Sequence, residues 1–328
     1  MSKIAYINSS SSGVDYHRLS NPLSYLADDH EITAYNSIPL DKVDDVEADV
    51  LIYSRCMYEP EQMDIIQKFK ARGTRVIVDI DDYWGLPQKH PAYLDYKQHG
   101  IPKKIVQSIK WADMVWTTHS KLAQEIDKLG QKRVRVYPNA LDPTDEQWVP
   151  KHLESDRFRI GFVGGVTHEH DLYETATGWK VAHAENEYLQ GVLCGVNDDA
   201  LEMYQRYHYI MSGGGGGDVR AIAQMDVHNY GLMYDRMDVS IAPLYNNKFN
   251  TLKSNLKIVE SGMKGTPIIT SWMHPYSDDA PGIYKTDNWR KAFAKILRKS
   301  KRQLQDEGEQ LREYVLENYD IRNHQREI

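Results

Sequence analysis

Cysteine is nearly missing from this 328-residue sequence: Cys56 and Cys194 stand far apart, and there is no Cys-x-x-Cys pair. That excludes a zinc knuckle and a disulfide framework and suits a reducing compartment. No apolar run approaches the roughly 18 residues that cross a membrane. The N-terminus also lacks the charged and then apolar pattern of a secretory leader, so a cytoplasmic protein with no transmembrane segment is expected. Positive charge is not in surplus either. The 40 Lys and Arg against 47 Asp and Glu leave a formal charge of −7, which excludes a protein whose main task is coating nucleic acid. Local basic clefts stay open. A Gly-Lys-Ser/Thr phosphate loop and a Gly-x-Ser-x-Gly elbow are absent, and Gly161-x-x-Gly164-Gly165 lacks the third glycine of a dinucleotide fingerprint.

What is present is alternation. Apolar residues at 41% and charged residues at 27% describe a globular chain, and its length suggests two domains. Strands are predicted at Lys3–Ile7, Glu31–Tyr35, Val50–Tyr53, Arg75–Ile80, Met114–Thr117 and Val134–Tyr137. Helical patterns intervene at Asp15–Ala27, Glu61–Arg72, Lys103–Trp111 and Lys121–Leu129. Near-continuous apolar strands between helices imply a parallel sheet covered on both faces. Polar Pro143–Ser155 reads as a linker, after which the pattern restarts at Phe158, with strands at Leu189–Cys194, Val239–Ala242 and Pro267–Thr270. The helix Lys253–Met263 should end at a left-handed Gly265. Trp289, Phe293, Ile296 and Leu297 form a packing stripe, whereas Lys299–Tyr319 reads as a solvated surface helix. The glycines Gly213–Gly217 read as a flexible linker, natural or engineered. The expected domains are residues 1–150 and 151–300, with 301–328 as a helical segment that can pack back on the first.

Chemistry concentrates after the strand Val239–Ala242. The polar loop Tyr245–Leu252 leads into a helix whose first turn carries Lys253, Ser254 and Asn255. A helix N-terminus suits an anion such as a diphosphate, Lys253 or Lys257 adds positive charge, and Glu260 can accept from two ribose hydroxyls. The same residues also fit an ordinary capped helix with a Lys–Glu pair. In the first half, Ser9–Gly13 and the following Asp15, His17 and Arg18 stand where α/β sheets bind ligands. Asp79, Asp81 and Asp82 end a strand. Acceptor recognition or general-base work at Asp81 or Asp82 is preferred there to metal binding. His90 and His119 follow later elements, and most of the thirteen histidines are expected to be surface or core residues without chemistry.

Taken in order, several segments resemble the glycosyltransferases of the GT-B fold, in the broad family-4-like group. They are Tyr137-Pro138-Asn139-Ala140-Leu141-Asp142, then Ile160-Gly161-Phe162-Val163-Gly164-Gly165 with Thr167, His168 and Asp171. The Ala242-Pro243-Leu244 segment with Asn250 and Lys253–Glu260 follows, and Gly265-Thr266-Pro267-Ile268-Ile269-Thr270-Ser271 closes the set. The resemblance implies an α/β protein of two Rossmann-like domains facing each other across a cleft, with C-terminal helices. Glu260 matches the second glutamate of the family's E-x7-E motif, which holds the nucleotide ribose. The first falls on Leu252, and the Arg or Lys that often follows the opening glycines is replaced by Thr167, His168 and His170.

The resemblance further implies a donor site of Gly164, Gly165, Thr167, His168, Asn250, Ser254, Asn255, Lys257 and Glu260. Lys253 would stabilise the leaving phosphate, and Gly13, Asp15 and Arg18 would form an acceptor or phosphate loop. The expected activity is transfer of a hexosyl or pentosyl group from a nucleotide diphosphate-sugar, UDP- or GDP-linked, to a hydroxyl acceptor. Retention is expected, with no cofactor and no metal. One alternative is a transferase acting on hydroxylated pyrimidines in DNA, with Lys103, Lys104, Lys132, Arg133 and Arg135 lining a groove; nucleic acid would then be the acceptor. Another is a non-catalytic nucleotide-sugar or carbohydrate-binding module on a degenerate scaffold.

Overall fold

The computed structural model describes residues 1–8, 13–55, 60–325 and 328. It divides into two compact units. Unit 1 comprises Met1–Ala140, Leu252–Ser254 and Ile321–Ile328, and unit 2 comprises Leu141–Thr251 and Asn255–Asp320. Each is built on one six-stranded sheet, and all described strand pairs are parallel.

In unit 1 the strands are β1 (Lys3–Ile7), β2 (Glu31–Tyr35), β3 (Val50–Ser54), β4 (Arg75–Ile80), β5 (Met114–Thr117) and β6 (Val134–Val136), in the order β2-β1-β3-β4-β5-β6. Helices Pro60–Ala71 and Ile101–Trp111 cover one face, where Ile66, Phe69, Ile105 and Ile109 meet Leu51, Val76 and Val78. Leu19 and Leu23 cover the other, against Ile4, Ile52 and Trp116. The switch point, where the connections from two neighbouring parallel strands lead in opposite directions, falls between β1 and β3. Ligands of such sheets bind beyond the strands' carboxyl ends at that point.

The helix predicted at Asp15–Ala27 is present as an unbroken helical run over residues 13–24, whose middle, Tyr16–Ser20, is π-helical between Gly13–Asp15 and Asn21–Ser24. His17, Arg18 and Leu19 are buried consecutively, which one stripe of a regular α-helix cannot achieve. Arg18 was expected to face a ligand from a loop. It lies in the interior, with Nη2 2.7 Å from Asp79 Oδ1 and both side chains at 1% exposure or less. Its Nη1 donates to the Tyr137 carbonyl at 2.7 Å and to Asn139 Oδ1 at 3.2 Å, and its guanidinium lies 4.8 Å over the Tyr137 ring. Asp15 is also buried.

Unit 2 holds β7 (Phe158–Val163), β8 (Leu189–Val196), β9 (Asp218–Ala223), β10 (Val239–Ala242), β11 (Ile268–Ser271) and β12 (Ile283–Thr286), in the order β12-β11-β10-β7-β8-β9. Counted from β7, this is the Rossmann order, with its switch point between β7 and β10. The sequence reading missed β9 and β12. Both are edge strands that lack the buried apolar run of β10 and β11.

Three sequence expectations are corrected in unit 2. The presumed linker Pro143–Ser155 contains a turn, Glu146–Trp148, with Gln147 and Trp148 buried. The glycine run is an ordered turn: Gly213, Gly214 and Gly215 have φ of 67°, 100° and 101°, and Gly215 N–H donates to Ser212 Oγ at 2.8 Å. Only glycine takes that succession of left-handed residues without strain. The presumed surface helix, Lys301–Tyr319, buries Leu304, Gly308, Leu311 and Val315. It packs against the helix Leu256–Met263. Gly265 has φ of 64°, as its place after that helix predicted.

Two stability predictions follow from this packing. A Cβ on Gly308 would overlap the Gly265 carbonyl oxygen, so Gly308→Ala should lower unfolding free energy by about 1–3 kcal/mol in urea titration. Asp79→Ala leaves the Arg18 cation buried without its counter-charge and should cost about 3–5 kcal/mol by the same measurement.

Candidate functional site

In unit 2 the loops after β7 and β10 come together at the switch point. Gly164 is buried and Gly165 and Thr167 are exposed, so the chain turns outward as the strand ends. A Cβ on Gly165 would meet nothing within 4 Å, which leaves its backbone open to a ligand. His168 stands at the N-cap position of the short helix Glu169–Tyr173 without a side-chain cap bond. Its Nδ1 lies 2.8 Å from Asp171 Oδ2, and its backbone N–H donates to the Tyr207 hydroxyl at 2.8 Å. Asp171 ties this loop to the next one. Its Oδ1 accepts from the Tyr245 N–H at 2.8 Å and from Asn250 Nδ2 at 2.7 Å. Asn250 is thus held by a buried carboxylate. Nothing in the local sequence pattern marks Asp171 for this role.

The helix after the β10 loop begins at Leu256, three residues later than predicted, so Lys253 and Ser254 precede it. Asn255 stands at its N-cap position but makes no side-chain cap bond. Its Nδ2 donates instead to Asp278 Oδ2 at 2.9 Å and to the Tyr319 hydroxyl at 2.7 Å. Glu260, 1% exposed, accepts at Oε2 from the Tyr234 hydroxyl at 2.7 Å and from Lys257 Nζ at 2.9 Å. Lys257 also donates to the Tyr230 hydroxyl at 2.6 Å. Burial opposes the Lys257 charge, yet Glu260 and Tyr230 outweigh it and raise the pKa above its ordinary value. Burial, with Glu260 adding to it, pushes the Tyr230 hydroxyl up to about 12. Burial also pushes the nearby Cys194 thiol up to about 12, which makes it a poor nucleophile. No local pattern announced Tyr230 and Tyr234, because their turn, Tyr230–Arg236, meets Glu260 only through the fold.

In unit 1, Arg55 stands at the switch point just after β3, with φ of 48° in the left-handed region. Its guanidinium grips Asp81 with two bonds, Nε to Oδ1 at 2.5 Å and Nη2 to Oδ2 at 2.6 Å. Nη2 also reaches Asp82 Oδ2 at 3.4 Å. Burial alone would raise the Asp81 pKa, but Arg55 overrides it and holds the carboxyl below its ordinary value. The sequence reading did not single out Arg55. Lys253 Nζ lies 3.8 Å from Asp82 Oδ2, so Lys253, Asp81 and Asp82 form one cluster with Arg55. Ser254 Oγ accepts from Asn139 Nδ2 at 2.8 Å, and His119 Nε2 lies 2.9 Å from the Leu252 carbonyl oxygen. His119 also caps the helix Ser120–Asp127, a role the sequence reading did not give it.

Gly13 is exposed at the start of its turn, and the expected Ser9–Ser12 loop lies outside the described residues. Among the described residues, no group of three or more His, Cys, Asp or Glu side chains is placed to hold a metal ion. Of the basic residues considered for a nucleic-acid groove, Lys132 pairs with Asp127 at 2.8 Å. No described helix is long and apolar enough to cross a membrane.

No protein-family model matches this chain, and no curated protein does. Solved structures do match. HepE of Anabaena, in complex with UDP and glucose, aligns with a TM-score of 0.68 at 10% identity, covering 99% of this chain and 98% of its own. Sucrose-phosphate synthase of Thermosynechococcus elongatus aligns at 0.69 with 12% identity, over 99% and 96%. The UDP-forming α,α-trehalose-phosphate synthase of Burkholderia xenovorans, in complex with glucose-6-phosphate, aligns at 0.60 with 12% identity, over 87% and 75%. At such identities the likeness is one of fold: this chain has the two Rossmann-like domains of the GT-B glycosyltransferases.

Proposed function

We propose that this protein is a glycosyltransferase that moves a sugar from a nucleotide diphosphate-sugar to a hydroxyl acceptor. The observation that carries the reading is the switch point of unit 2. There Asp171 joins the Gly164–Gly165 turn to the β10 loop, and Glu260 lies on the helix that follows. The fold-mates crystallised with UDP and with UDP-glucose favour UDP over GDP as the nucleotide.

In this reading the exposed backbone at Gly165 and the side chains of Thr167 and His168 approach the donor phosphates and sugar, and Asn250 shapes the loop beside them. Glu260 accepts from the ribose hydroxyls, with Lys257 and Tyr234 setting its orientation. Ser254 and Asn255 stand just before the helix N-terminus whose dipole favours the diphosphate. Lys253 neutralises charge as the bond between the sugar's anomeric carbon and the phosphate oxygen breaks. The acceptor oxygen forms the new glycosidic bond and gives up its proton, for which Asp82 or Asp81 is the base. Anomeric configuration is retained, with no metal required. Leu252, standing where the family has a glutamate, favours the second reading, a binding module without turnover.

A thermal-shift panel of UDP, GDP, ADP and dTDP with their sugars tests the donor site. A ligand at a hundred times its Kd should stabilise by about 2.7 kcal/mol. No shift with any of them removes the reading. With a responding donor, Lys253→Ala should lower turnover about 100-fold while shifting Tm by no more than a few degrees. Binding without any donor cleavage in the wild-type chain would favour the module.

A further inference from the structure

We infer that Leu252, His119 and Asn139 are positioning residues for Lys253, so that unit 1 rather than the following helix sets where its ammonium stands; this rests on the transferase reading above.

The segment Leu252–Ser254 is held at both ends. At the first, the Leu252 side chain is 6% exposed and belongs to the core of unit 1 with Val78, Ile80 and Leu122. A glutamate at this position would bury a charge among those side chains, which explains the departure from the family's acid in terms of this molecule's own packing. The Leu252 carbonyl is held by His119. Because His119 Nδ1 accepts from the Leu122 N–H at 3.3 Å, the ring proton resides on Nε2, which donates to Leu252 at 2.9 Å. At the second end, Asn139 Nδ2 donates to Ser254 Oγ, while Asn139 Oδ1 accepts from the buried Arg18. That anchor therefore runs back to the Arg18–Asp79 pair. Between the two ends, Lys253 projects with its side chain 20% exposed, 3.8 Å from Asp82. Asp82 also lies within reach of Arg55, so it does not serve Lys253 alone. A long, flexible lysine side chain is thereby offered to the substrate from a backbone with little freedom.

The test compares His119→Ala with His119→Gln in the full chain, using the sugar nucleotide that responds in the thermal panel. Glutamine keeps an N–H donor for the Leu252 carbonyl, and alanine does not. His119→Ala should lower kcat about 10-fold with donor KM within about 2-fold, His119→Gln should restore most of it, and amide exchange at residues 252–254 should quicken only in the alanine variant. In a Lys253→Ala background, His119→Ala should cause no further loss, because the group it positions is gone. Additive losses, an unaffected kcat in His119→Ala, or a glutamine variant as poor as the alanine one overturns the proposal. If the wild-type chain binds and cleaves no nucleotide sugar, the transferase reading fails, and with it the role of Lys253. Exchange at residues 252–254 still decides whether His119 holds that segment.

Discussion

Much of unit 1 depends on the ion pair between Arg18 and Asp79. Taking two charges out of water costs several kcal/mol each, and the cost is offset only where geometry and further hydrogen bonds are good. Here they are. Arg18 engages Asp79 through Nε and Nη2, gives Nη1 to Tyr137 and Asn139, and lies over the Tyr137 ring. One guanidinium therefore fixes the π-helical turn, the end of β4 and the segment after β6. The stretch immediately after Asp79 carries the Arg55–Asp81–Asp82 cluster, and Asn139 passes the same constraint on to Ser254.

Unit 2 solves a similar problem with a carboxylate instead of a guanidinium. Asp171 collects an imidazole, a backbone N–H and a side-chain amide from two loops that the sheet brings side by side. Glu260 does the same for Lys257 and Tyr234. In both cases a buried acceptor-only group organises donors from separate elements. Such networks are rigid when satisfied and costly when broken.

The fold was legible wherever strands were buried. β1, β3, β4, β5, β7 and β10 were located because sheet burial on both faces demands continuous apolar runs, and Gly265 was read as the helix stop because only its conformation closes that turn. β9 and β12 carry no such run, although β2 and β6, also edge strands, are marked in the sequence. The many charges of Lys301–Tyr319 mask, in the sequence, the four residues that pack. The residues expected on the donor side stand as an ordered set in the sequence, but the partners they engage do not show there. Asn255 turns to Asp278 and Tyr319, Arg18 turns inward, and Arg55 appears beside Asp81 from a different strand.

The sequence by itself determined the two α/β halves, the GT-B likeness, the switch-point loops and the placement of Glu260 on its helix. These follow from local pattern, in which each strand and helix declares itself through its own apolar period. Only the tertiary structure decided which charge meets which across the chain: Arg18 with Asp79, Arg55 with Asp81, and Lys253 beside Asp82. These partners lie many residues apart, unlike the Lys257–Glu260 pair that helical spacing already offers. A charge carries no sequence mark of its counter-ion until packing has fixed the distance between them.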